Sequence, residues 1–76
     1  MQDGFDKYLE NELITISKNI KKLREDKNLS QESLAELADC SREFINRVEN
    51  RKEDVSLKML LKLAFELDVK PERFFE

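Results

Sequence analysis

Between Gln31 and Glu49 the chain reads QESLAELADCSREFINRVE. This is two short helical segments with only Asp39 and Cys40 at the corner. Ser30 precedes the first segment and Ser41 the second, and a serine hydroxyl takes up an orphan backbone N–H at a helix start. Glu32 in the first turn suits the helix dipole. The first segment is expected over Gln31–Ala38, with Leu34, Ala35, Leu37 and Ala38 inward, and the second over Arg42–Asn50. So short a corner forces the two helices together at close range, and Ala35 is small where they must meet. Asp39 stands in the turn, and aspartate tolerates a left-handed backbone better than most residues, at some cost.

The rest of the chain is built to match. One Gly and one Pro in 76 residues leave little punctuation for a β fold, and a core this small is economical only with local helical contacts. Leu9, Leu13, Ile16, Ile20 and Leu23 recur at three- and four-residue spacing, with Phe5 continuing the face upstream. The first helix therefore ends near Lys27 and starts somewhere between Phe5 and Leu13. After a polar loop from Arg51 to Val55, Ser56 caps a fourth helix to about Leu67. Pro71 suits the first position of a final short helix carrying Phe74 and Phe75. The expected architecture is all-α with five helices, divided into an acidic extension over residues 1–12, with the first helix either starting inside it or after it, and a domain over 13–76.

The net charge is −3, which by itself argues against a polyanionic partner. Its distribution matters more. Asp3, Asp6, Glu10 and Glu12 against Lys7 account for all of it, so residues 13–76 are balanced. Within them Lys18, Lys21, Lys22, Arg24 and Lys27 form one basic cluster, and Arg42, Arg47, Arg51 and Lys52 another. The chain has a single cysteine and no histidine, which excludes an internal disulfide framework and a zinc cluster of the usual donors. Cys40 in the turn reads as a small packed residue. With no signal peptide and no apolar run of membrane-spanning length, the expectation is a cytoplasmic protein without cofactor, metal, membrane contact or small-molecule ligand. No nucleophile–base pairing or phosphate-cradling glycine loop is present, so no enzyme activity is expected.

In the second motif helix, Ser41, Ile45 and Val48 fall together toward the core. Glu43, Asn46, Arg47 and Asn50 fall on the opposite side, with Arg42 at the helix start. A helix entering a DNA major groove presents its N-terminal residues to base edges. There arginine donates two hydrogen bonds to guanine, asparagine pairs with adenine and glutamate accepts from cytosine. Arg42, Glu43, Asn46 and Arg47 are therefore the candidate base-reading residues. An ordinary solvated helix face would show the same residue types. Phe44, at the edge of this surface, either meets thymine methyls or packs under the following loop.

The wider pattern decides between these. IKKLREDKNLSQESLAELA, then Ser41, Ile45 and the Val48–Glu49 pair, then SLKMLLKLAFELDVKPERFF together resemble the Cro/C1 (Xre) family of helix-turn-helix regulators over roughly residues 14–76. The resemblance implies a lambda-repressor-like fold with the motif at helices 2 and 3. It implies that Gln31 contacts a DNA phosphate from a helix N-terminus. It also implies that Arg24 and Glu49 form a structural ion pair tying the first helix to the recognition helix. Asn50, Arg51 and Lys52 become further phosphate candidates, although the loop NRKEDVS lacks the glycine usual in the family.

Leu60, Leu63, Leu67, Phe74 and Phe75 either simply close the monomer core or exceed what one small core needs. The excess suggests a homodimer through Leu60, Leu67, Phe74 and Phe75, whose two recognition helices would meet successive major grooves about 34 Å apart on a roughly palindromic operator. Compact size and loop spacing resemble the restriction–modification controller proteins; phage repressors and antitoxin-type regulators stay open. The reading from another class is a protein-binding adaptor on the same fold. The discriminator is electrostatic: DNA binding is expected to gather Gln31, Arg42, Arg47, Arg51 and Lys52 on one positive face uninterrupted by Glu53 and Asp54.

Overall fold

The structure, a computed structural model, describes residues 2–76; Met1 of the expected N-terminal extension lies outside it. Four α-helices run in order, α1 (Gln2–Asp26), α2 (Gln31–Ala38), α3 (Arg42–Glu49) and α4 (Leu57–Leu67), followed by a 3-10 helix at Pro71–Phe75. The expected count of five α-helices is thereby corrected to four. The last element is five residues long, opens on a proline and has no side-chain cap, so it closes by an i→i+3 bond from Arg73 N–H to the Lys70 carbonyl rather than by an α ladder.

Serine starts three of the helices. Ser30, Ser41 and Ser56 each accept, at 3.0 Å, the N–H three residues on, from Ser33, Phe44 and Met59. The helix ends share a second device. Asn28, Asp39, Arg51 and Asp68 all take φ between 56° and 59°. Around each, two reverse bonds close the last turn: for α2, Asp39 N–H to the Glu36 carbonyl and Cys40 N–H to that of Ala35, with the same pairing after α1, α3 and α4. This is the Schellman arrangement, which normally takes glycine at the left-handed residue. Here the single glycine, Gly4, lies inside α1 instead. Leu29, Cys40 and Val69, each just after a left-handed residue, turn inward against the core.

The core joins Ile20 and Leu23 of α1, Leu34, Ala35 and Ala38 of α2, Ile45 and Val48 of α3, Leu60, Leu63, Ala64 and Leu67 of α4, and Phe74. α2 packs on both α3 and α4, while α1 packs on α3 and the 3-10 helix. Asn19 of α1 clamps the C-terminus, its amide donating to the Phe74 and Glu76 carbonyls at 2.8 and 3.0 Å. Two inward assignments are corrected. Leu37 is exposed, at the margin of the stripe that Leu34, Ala35 and Ala38 define. Ser41 is exposed because its hydroxyl serves as the α3 cap.

α1 starts ahead of the expected window and passes without a break through residues 12 and 13. Twenty-five residues at about 1.5 Å each make roughly 37 Å, which accounts for the 41 Å long axis of a molecule only 23 by 20 Å across. Its apolar stripe is buried at Ile20 and Leu23, half-buried at Ile16 and Leu13, and exposed at Leu9 and Phe5. The helix therefore outruns the domain it is packed on.

Candidate nucleic-acid interface

The buried anchor of the motif is a two-point ion pair. Arg24 Nε donates to Glu49 Oε2 at 2.7 Å and Nη2 to Oε1 at 3.0 Å. Its third nitrogen, Nη1, donates to the Leu29 carbonyl at 2.7 Å. Bidentate geometry with the remaining donor satisfied is what makes a buried pair tolerable. The Glu49 hydrogen bond pushes the Arg24 guanidinium above its already high ordinary value, against burial, which pulls it down.

The pair extends to the surface. Gln31 Nε2 donates to Glu49 Oε1 at 3.0 Å, and Asn46 Nδ2 donates to Gln31 Oε1 at 3.3 Å. A carboxylate only accepts, so Glu49 dictates which end of the Gln31 amide faces it and hence which end faces Asn46. Gln31, expected to meet a phosphate from its helix start, is half-buried and engaged at both ends of its amide, linking the ion pair to the outer face of α3.

On that face Arg42, Glu43, Asn46 and Arg47 line one shallow depression, and all four are exposed. Ile45 and Val48 on the inner side of α3 are fully buried, so their packing sets which row of the helix faces outward. Phe44 is half-buried and packs partly against the core. Cys40 is half-buried in the turn; burial, then the neighbouring Asp39 carboxylate, push its thiol above the ordinary range.

The phosphate candidates separate. Asn50 is exposed and donates to the Asn46 carbonyl at 2.9 Å. Lys52 is exposed and has no ion pair among the described residues. Arg51 instead folds back against α1. Nη1 lies 2.8 Å from Asp54 and Nη2 donates to Glu10 at 3.3 Å. Its Nε is 3.2 Å from Glu10 but out of line for a hydrogen bond. Arg47 is also paired, Nε donating to Glu53 Oε1 at 2.8 Å, and Arg42 lies 3.9 Å from Glu43. The expected uninterrupted positive face is therefore corrected: it is charge-compensated at every arginine. Glu53 and Asp54, the two acids named as possible interruptions, do interrupt it; Glu10 is the residue that sequence reasoning left out of the site, and no local spacing brings it to Arg51.

The dimer candidates divide as well. Leu60, Leu67 and Phe74 are buried in the monomer core and cannot form an interface; Phe75 alone of that set is exposed. In their place Leu57, Leu61 and Phe65 stand exposed at four-residue spacing along α4.

A corner of two capped helices, the second presenting a polar row and locked to α1 by a buried pair, defines a helix-turn-helix protein. The Helix-turn-helix family model (HTH_3) matches residues 20–74, and the chain belongs to this Cro/C1-type family. Among solved structures it is similar to the restriction–modification controller protein C.AhdI from Aeromonas hydrophila, at 40% identity over 83% of this chain and 96% of that one, with a TM-score of 0.79. Wild-type C.Esp1396I, another restriction–modification controller protein, is 32% identical over 83% of this chain and 82% of that one, TM-score 0.76. The hypothetical transcription factor NHTF from Neisseria is 26% identical over 88% and 78%, TM-score 0.81. The search of curated proteins found no match. None of the described helices is long and apolar enough to cross a membrane.

Proposed function

We propose that the chain is a sequence-specific DNA-binding transcription regulator that lays α3 in the major groove and acts as a homodimer on a roughly palindromic operator. The observation that carries this is the outer row of α3. Arg42, Asn46 and Arg47 offer donors and amide pairs suited to base edges, on a helix whose roll is set by Ile45, Val48 and the Glu49 anchor. Asn50 and Lys52 flank that row as phosphate contacts. Arg51 serves the fold, by tying the α3–α4 loop to α1. The similarity to controller proteins supports the regulatory reading.

The dimer would form through Leu57, Leu61, Phe65 and Phe75, an apolar set that a monomer leaves in water. The second reading, a protein-binding adaptor, draws on the carboxylates beside each arginine. Selection of bound duplexes from a random pool separates the two. The proposal requires an enriched motif with two inverted half-sites about one helical turn apart. A pool that stays random after selection overturns it and favours the adaptor.

A further inference from the structure

Glu53 is an anion placed against the face that would meet a polyanion. Its carboxylate accepts from Arg47 Nε at 2.8 Å, and both side chains are largely exposed, 39% and 46%. Only Nε bonds Glu53, so neither terminal nitrogen of Arg47 is taken up by it, and these are the pair a guanine edge takes. A free arginine on a helix rim swings to the nearest phosphate as readily as to a base. One held by its Nε loses that freedom, and the carboxylate holding it is repelled by phosphates. Arg42 and Arg51 also have acidic neighbours, but Arg51 is turned to α1 and the Arg42 contact is long. Glu53 is the one that engages a base-reading side chain by a hydrogen bond.

Resting on the DNA-reading proposal above, we infer that Glu53 is a specificity-determining positioning residue: it aims Arg47 at a base and withholds it from the phosphate backbone. Its effect falls on unrelated DNA. Glu53→Gln keeps an acceptor for Nε and removes the charge. The released Arg47 then reaches one phosphate, which raises affinity for unrelated duplex roughly tenfold at 0.1 M salt and steepens the log–log salt slope by about one. Affinity for the selected operator rises less, so the ratio of specific to non-specific binding falls. In an Arg47→Ala background Glu53→Gln loses most of this effect, which a general change in surface charge would not.

The test is binding of wild type, Glu53→Gln, Arg47→Ala and the double variant to the wild type's selected sequence and to an unrelated duplex, across a salt series. The melting temperature of Glu53→Gln should stay at the wild-type value, since the pair is exposed. Unchanged non-specific affinity and slope in Glu53→Gln, while the wild type prefers its operator, overturns the role of Glu53 alone. A rise of the same size with and without Arg47 overturns it too. A wild type with no sequence preference overturns the DNA-reading proposal itself.

Discussion

Arg24 and Glu49 are 25 residues apart in sequence and 2.7 Å apart in space, and through Gln31 their pairing reaches the outermost row of α3. The carboxylate side chain is almost wholly enclosed. Removing one partner leaves the other charge buried and alone, which costs on the order of 3–5 kcal/mol. We expect Arg24→Ala and Glu49→Ala each to lower stability by about that amount in urea titrations. The conservative Glu49→Gln should also loosen Asn46 and weaken base preference at its position. Stability within 1 kcal/mol of wild type for both alanine variants, measured in ~0.1 M salt, would show that water reaches the pair.

Asp39 and Asp68 hold left-handed backbones at φ 58° and 56°, where a Cβ costs roughly 1–2 kcal/mol. Glycine adds unfolded-chain entropy that offsets part of this. Asp39→Gly and Asp68→Gly should each raise stability by about 0.5–1 kcal/mol, seen as a higher urea midpoint with unchanged slope. Arg51→Gly should give no increase, because the strain relieved is offset by the loss of its pairing with Glu10 and Asp54.

For the reading row, Arg42→Ala or Arg47→Ala should cost on the order of 1–3 kcal/mol on the selected operator and relax preference at one position. Lys52→Ala should instead weaken binding evenly across sequences and reduce the salt slope by about one. Binding-site profiles that stay the same in both arginine variants would remove base reading from α3.

Leu61 and Phe65 lie outward on α4, one turn apart. Replacing both with serine should leave the helical signal intact and shift sedimentation from dimer to monomer at micromolar concentrations. Phe74→Ser should unfold the domain instead, since Phe74 is fully enclosed and exchanging it for a hydroxyl combines a cavity with a buried polar group.

The Cys40 thiol is pushed up by burial and then by Asp39. A thiol raised on folding keeps its proton longer than in the unfolded chain. Any stability it contributes is therefore full below the ordinary thiol value and declines as pH rises through the folded one. At neutral pH Ellman's reagent should label native Cys40 far more slowly than the urea-unfolded chain, with the native rate climbing only in alkali. Equal rates at neutral pH would contradict the assignment.

Much of the fold was legible because it is local. Ser30, Ser41 and Ser56 name their helix starts by chemistry that acts over three residues, and the α2 boundaries follow from Ser30 and Asp39 alone. The Arg24–Glu49 pair was reached through family resemblance, not spacing. The site was harder to read. Gln31 looked like a free amide at a helix start, yet Glu49 and Asn46 arrive from a different helix and occupy both its ends. Arg51 looked like a phosphate contact in a basic run, yet Glu10 and Asp54 engage it against α1.

What the order of residues determines here is where helices begin, where they stop and which stripe of each is apolar, since capping, left-handed turns and 3.6-residue periodicity all operate within one or two turns of chain. What only the tertiary structure decided is how those surfaces are shared out. Leu60, Leu67 and Phe74 are no more apolar than Leu57, Leu61 and Phe65, yet the first three are buried in the core and the others face water. Glu10 of α1 meets Arg51 of the α3–α4 loop only after the chain closes on itself. Burial and ion pairing depend on distance in space, and once helices pack, distance along the chain no longer measures it.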